Sequence, residues 1–302
     1  MPVSNGIGHS EWTADKEAGL DALLRQHISI VRAVTSKHPY YPQAYIYIDT
    51  NAGDGCNAAE GCDGSPIVFL KVAQDRIPYQ AYFIDRELAN TFNLAKATSI
   101  YNHHEIFTED NATCLPKIAR RLNKNSYGLI YTDPTGIPNF DMLSEASKLL
   151  PRIDLLIRYS GSSAKRNGRD LKAELDKIGK EIWLIRELNP SDKHQWSFLF
   201  GTNYTEYKPW RKYGFRRTDD KEGAEIFAKL TYTKDELARQ LQLSLLDSPR
   251  NQAIERSGGL CERCHKNPVT EPHHLRYGQD ITASDIIAVC HECHCELEGK
   301  EN

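Results

Sequence analysis

A chain of 302 residues suits one large domain with a small appendage, and 40% hydrophobic with 26% charged residues argues against widespread disorder. No apolar run nears the roughly 20 residues that span a bilayer. The N-terminal residues lack a basic segment followed by an apolar one, so a cytoplasmic protein without membrane contact is expected. A formal charge of −3 gives no general pull toward a polyanion, so nucleic acid would have to be held by local patches.

Residues 12–35 place Leu20, Leu23, Leu24, Ile28 and Val31 at helical spacing, which predicts an amphipathic helix. Residues 44–49 are aromatic and β-branched and predict a buried strand running into Asn51, Ala52, Gly53, Asp54 and Gly55. A loop follows with Cys56 and Cys62, read as unpaired thiols, and then a helix over 65–75 with Ser65 as its cap. Residues 80–84 predict a strand closing on Asp85, and 87–99 a helix. A weaker strand over 106–108 precedes Glu109 and Asp110, and 112–123 predicts a helix with Pro116 in its first turn.

Residues 128–132 predict a strand closing on Asp133 and Pro134, followed by a helix over 140–150, a strand over 153–158 and a helix over 168–180. Two last strands, 182–188 and 195–201, are expected to pair antiparallel at the sheet edge. This alternation predicts an α/β fold, a Rossmann-like, mostly parallel sheet with helices on both faces. The expected domains are 1–240, a linker over 241–254 that includes the linker-like stretch 244–252, and a metal module over 255–302; a helical stretch is also expected near 233–243.

Five of the eight cysteines lie between Cys261 and Cys295. Two C-x2-C pairs, Cys261 with Cys264 and Cys290 with Cys293, have the spacing that closes four thiolates on one structural Zn²⁺. So short a segment buries little core, and metal binding would supply folding energy. His273 and His274 stand between the pairs, and His294 follows Cys293. Over about 40 residues this pattern resembles the HNH endonuclease family.

The resemblance implies a ββα-metal module with His274 as general base and His273 and His294 on a catalytic Mg²⁺ or Mn²⁺. Asp285 takes the place of the usual asparagine, where it would accept from the base and orient its ring. Glu298, four residues beyond His294 on one helix face, would complete the ion's ligands. A zinc module that only binds DNA or stabilises the C-terminus is the alternative.

In the larger domain, acidic residues close successive strands: Asp85, then Glu109 and Asp110, then Asp133. Together with Gly53, Asp54 and Gly55 they would line the carboxyl edge of a parallel sheet, where such folds bind ligands. The layout resembles class I S-adenosylmethionine-dependent methyltransferases. The runs YIDTNAGDG, DGSPIVFL and LIYTDPTG look more particularly like the three-Cys-motif partner family of bacterial and phage proteins. The resemblance implies that Gly53, Asp54 and Gly55 flank the methionine part of the cofactor, Asp85 takes the ribose and Asp110 lies near the adenine. Asp133 opens a Asp-Pro-Thr-Gly sequence that lacks the aromatic residue which stacks on an extruded base.

Residues 208–217 hold five basic and three aromatic residues. Lys208, Trp210, Arg211, Lys212, Arg216 and Arg217, with Lys165 and Arg166, are therefore candidates for contacting nucleic acid, DNA ahead of RNA. Residues 251–302 carry five Lys and Arg against nine Asp and Glu, so grip would come from the first domain.

The leading expectation is a metal-dependent HNH endonuclease whose methyltransferase-like domain positions DNA or senses a ligand, in bacterial or phage defence, with a protein partner in a multi-component system. The alternatives are an S-adenosylmethionine-dependent nucleic-acid methyltransferase with a zinc-binding accessory module, and a non-catalytic, zinc-stabilised DNA-binding protein.

Overall fold

The apolar spacing of the first helix becomes the buried face of α1 (Thr13–Thr35), where Leu20, Leu23, Leu24, Ile28 and Val31 are all buried. The computed structural model describes residues 13–57, 62–161, 170–187, 196–205, 208–231, 248–276 and 282–299. The chain divides into two compact units, Met1–Thr231 and Tyr232–Asn302.

In the first unit β1 (Tyr45–Asp49) is buried at all five positions. Its side chains alternate between two cores: Tyr45 and Tyr47 face one, Ile46 and Ile48 the other. Tyr47 stacks on Phe69 of α2 (Ser65–Ala73) with ring centroids 3.9 Å apart. Between β1 and α2 lies a small antiparallel hairpin, β2 (Cys56–Asn57) and β3 (Cys62–Asp63), which periodicity does not foretell because each strand is two residues long. Gly64, not Ser65, is the N-cap of α2. Ser65 instead gives its hydroxyl to Asp49.

The unit continues through β4 (Tyr79–Asp85), α3 (Leu88–Ala97), β5 (His104–Thr108), α4 (Asn111–Arg121), β6 (Gly128–Thr132), α5 (Phe140–Leu149), β7 (Ile153–Ser160), α6 (Leu171–Ile178) and β8 (Ile182–Arg186). It closes with β9 (Trp196–Thr202), a 3-10 turn over Lys208–Tyr213, β10 (Phe215–Arg217) and α7 (Lys221–Thr231). Asp110 caps α4, which starts at Asn111, so Pro116 falls inside the helix rather than in its first turn.

The eight-stranded sheet has the order β10-β8-β9-β7-β6-β1-β4-β5. Neighbours from β7 through to β5 run parallel, whereas β9 runs antiparallel between β7 and β8. The expected antiparallel pairing of β8 with β9 is formed, but not at the edge: β9 is an interior strand, and β10 forms the edge. Burial explains the difference. Phe198 and Phe200 enter one core and Leu199 the other, so β9 needs cover on both faces.

In the second unit Ser248 caps α8 (Pro249–Arg256), accepting from the Asn251 amide, and Pro249 occupies a first-turn position. A helix therefore stands where the sequence suggested the end of a linker; the earlier linker residues and the stretch near 233–243 lie outside the described residues. β11 (Glu271–His274) and β12 (Ile286–Val289) pair antiparallel, and α9 (His291–Glu298) follows. The buried apolar cluster is Cys261, Val289, Cys290 and Cys293, too little to hold a fold without further linkage. Arg256 reinforces it, bonding both Glu262 oxygens and the carbonyls of Ala283 and Ile286.

Candidate cofactor edge and candidate metal centre

The topology brings the ends of β1, β4, β5 and β6 to one edge, and with them Asp49, Asp85, Asp110 and Asp133. The turn after β1 places Gly53 and Gly55 at φ of 63° and 78°, a region in which L side chains are strained. A Cβ on Gly53 would meet nothing within 4 Å, so the backbone there faces open space. At Gly55 a Cβ would come 2.7 Å from Leu94 Cδ1, so that side chain would have to shift, and the positive φ already favours glycine there.

Asp85 organises the turn. Its Oδ2 accepts from the Gly53 amide at 3.0 Å, and its Oδ1 from the Glu87 amide at 2.9 Å and from Asn90 Nδ2 at 3.1 Å. Asp49 is fully buried and accepts from Ser65 Oγ at 2.6 Å and from the Asn51 amide at 3.1 Å. Burial outweighs those bonds, with Asp133 and Asp85 adding to it, and raises its pKa to about 7. Asp54 accepts from the Cys56 amide, and Asp110 from the Ala112 amide at the start of α4.

Asp133 accepts from Arg158 Nη1 at 2.7 Å and from the Tyr131 hydroxyl at 3.3 Å, and the Arg158 guanidinium lies 5.2 Å from the Trp196 ring. Sequence reasoning missed Asn51, Ser65, Asn90 and Arg158. The signal for Arg158 was available, as a charged residue near the end of a buried strand.

At the same edge a cleft of about 640 Å³ opens beside the start of α1, lined among others by Arg186, Trp196, Lys212 and Tyr213. Of the candidate nucleic-acid contacts, Trp210 is corrected. It is 3% exposed and packs on Phe200 at 4.6 Å between centroids, so it belongs to the core and not to a basic outer patch. Arg211 and Arg216 bond Glu222, and Arg217 bonds Asp219, so their charges are largely answered within the unit. Lys165 and Arg166 lie outside the described residues, as does the Lys208 side chain.

In the second unit the sulfurs of Cys261, Cys264, Cys290 and Cys293 all lie within 4.8 Å of one another, and Cys264 Sγ is 3.9 Å from Cys290 Sγ. A tetrahedral ion with bonds of about 2.3 Å spaces its sulfurs by roughly 3.8 Å, so the four thiols fit a metal. Although burial opposes ionisation, the amides of Cys264, Cys290 and Arg263 draw the Cys261 thiol down to about 6.

His273, His294 and Glu298 also converge within 4.8 Å. Glu271, missed in the sequence, bonds both His294 Nδ1 at 3.0 Å and His291 Nδ1 at 2.8 Å. Asp285 is corrected as the partner of His274. Its Oδ2 accepts from the Thr282 amide and hydroxyl and from Arg276, while His274 Nε2 lies 3.2 Å from Arg250.

No family model matches the chain. No curated protein matches it either. Among solved structures, it is similar to the Legionella pneumophila protein LPL1258, with 14% identity, 62% of this chain and 88% of that one covered, and a TM-score of 0.45. An rRNA methylase from Streptococcus thermophilus aligns at 13% identity over 54% of this chain and 90% of its own, with a TM-score of 0.35. A methyltransferase-type protein of Escherichia coli aligns at 12% identity over 68% and 92%, with a TM-score of 0.37.

Counting only the strands of the large sheet, the order is 3-2-1-4-5-7-6-8 with the seventh antiparallel to both neighbours. The first unit is a Rossmann-like α/β fold with a mixed parallel and antiparallel sheet, and the second carries a cysteine and histidine cluster able to hold a metal. The expectation of an HNH-type endonuclease is thereby corrected. The Asp285 carboxylate, which the nuclease reading places against His274 to orient its ring, is engaged by Thr282 and Arg276 instead. The catalytic Mg²⁺ or Mn²⁺ falls with it.

Proposed function

We propose that the protein is an S-adenosylmethionine-dependent methyltransferase acting on nucleic acid, with a zinc-binding accessory unit at its C-terminus. The observation that carries this reading is the open Gly53 turn tied to Asp85 at the carboxyl edge of a sheet of this order. The cofactor, when bound, supplies an electrophilic methyl group on a sulfonium. Gly53 would let backbone approach its methionine part, and Asp85 has acceptor capacity left for ribose hydroxyls. Asp54 and Gly55 shape the same turn, and Asp110 would stand on the adenine side.

Asp133 would face the acceptor. Arg158 holds its carboxylate in place, so its part is to position an acceptor group rather than to remove a proton. The neighbouring cleft combines the cations Arg186 and Lys212 with the rings of Trp196 and Tyr213, a combination suited to phosphates and unstacked bases. Zinc would be held by Cys261, Cys264, Cys290 and Cys293, and His273, His294 and Glu298 would take a further divalent ion.

The test is transfer of labelled methyl from S-adenosylmethionine to a panel of single- and double-stranded DNA and RNA. Label should enter a nucleic acid, and Asp133→Ala should abolish incorporation. Absence of cofactor binding by the intact protein would overturn the reading.

A further inference from the structure

A second cavity, of about 430 Å³, opens at the opposite edge of the sheet, among residues that precede β6 and β7 and follow β9. That volume falls within the roughly 300–1,000 Å³ usual for small-molecule sites. One wall is apolar, from Ile30, Val31 and Val34 of α1; others bring the rings of Tyr41, Tyr127 and Trp210.

Two charged groups face this space, Asp154 and Arg152, along with His27 and His38. The Asp154 charge is answered: His27 Nε2 lies 2.9 Å from its Oδ2, and the buried Lys180 ammonium feels its field. His27 is 1% exposed, and its Nδ1 lies 2.5 Å from the Tyr45 hydroxyl, so a chain of hydrogen bonds runs from Tyr45 to Asp154 and fixes the ring. Lys180 is itself bound by the carbonyls of Pro151 and Ile153.

Arg152 is different. It donates to the neutral hydroxyls of Tyr127 at 2.6 Å and Tyr41 at 3.2 Å, and its guanidinium lies 4.2 Å from the Tyr41 ring centre. Among the described residues no carboxylate pairs with it. Phenols and a ring face orient the guanidinium and keep it charged without neutralising it, which leaves an unmatched positive charge beside an apolar and aromatic wall.

We propose that this cavity is a binding site for a planar aromatic monoanion, its acidic group on Arg152 and its ring against the apolar and aromatic wall. The site stands apart from the cofactor edge and does not depend on the methyltransferase reading. Its shape asks for a small acid. Its charge selects an anion over a neutral isostere, and its rings select an aromatic acid over an aliphatic one.

The test is titration of the intact protein with three probes, 1-naphthoate, 1-naphthamide and cyclohexanecarboxylate, by calorimetry and by tryptophan fluorescence, which Trp210 in the lining should report. Naphthoate should bind, and the other two at least about tenfold more weakly, as expected for loss of a charged hydrogen bond or of ring contacts. Arg152→Met should weaken naphthoate by about the same factor while leaving naphthamide unchanged. Val34→Trp should fill the cavity and abolish binding. Equal affinity for naphthoate and naphthamide in the unaltered protein, or no naphthoate binding at millimolar concentration, would overturn the proposal whether or not the variants fold.

Discussion

The Ser65 hydroxyl donates to the fully buried Asp49 carboxylate at 2.6 Å, tying the first residue of α2 to the end of β1. The folded carboxyl keeps its proton to about pH 7, whereas its ordinary value is 3.8. Between those values the unfolded chain has ionised and the folded one has not. Stability should therefore fall as pH rises from about 4 to 7, by on the order of 4 kcal/mol at most from this group, and level off above. Urea denaturation across that range should show the slope, and Asp49→Asn should flatten it. A slope unchanged in the variant would assign it to other groups.

Asp85 serves two ends, fixing the Gly53 turn and offering acceptors to a ligand. Asp85→Ala should weaken S-adenosylhomocysteine binding about tenfold or more, as loss of a charge-assisted acceptor implies. Calorimetry measures it. Asp110→Ala is expected to act mainly on the start of α4, at a cost of about 1 kcal/mol, because its carboxylate caps that helix.

The cysteine cluster should bind one zinc per chain, and Cys261→Ser should release it. Because the second unit buries so little apolar surface, removing metal with a chelator should render residues 248–299 susceptible to protease while the first unit stays resistant. Elemental analysis with limited proteolysis separates these outcomes. A His294→Ala protein should keep the zinc and lose only the further ion; loss of both metals would tie the two sites together.

Trp210 belongs to the core. Trp210→Ala should destabilise the first unit by about 3–5 kcal/mol, read from the shift in denaturation midpoint. An exposed, base-stacking tryptophan would have left stability almost unchanged.

The sequence made much of this legible, for identifiable reasons. Leu20 to Val31 repeat at helical spacing, and residues 45–48 are aromatic and β-branched without interruption, so α1 and β1 announce themselves. The paired cysteines converge because their spacing is local to each knuckle. Where the reading failed, long-range packing decided. Nothing near 195–201 says that β9 enters between β7 and β8; that follows from both its faces needing cover. Trp210 stands among five basic residues and looks like a nucleic-acid contact, yet Phe200 and His27, distant in sequence, claim its ring. Asp285 likewise belongs to a local turn with Thr282, which composition around His274 could not reveal.

The placement of β9 also bears on how the chain emerges from the ribosome. β7 is complete at Ser160, but the strand that covers its open side ends only at Thr202, after α6 and β8 have been made. Through that interval Leu155, Leu156 and Ile157 present a bare, apolar edge with unpaired amides and carbonyls, of the sort that recruits other nascent strands. A synthesis pause or truncation between residues 160 and 196 should therefore yield aggregates rather than a smaller soluble domain, and the codons for Trp196–Thr202 close that side of β7.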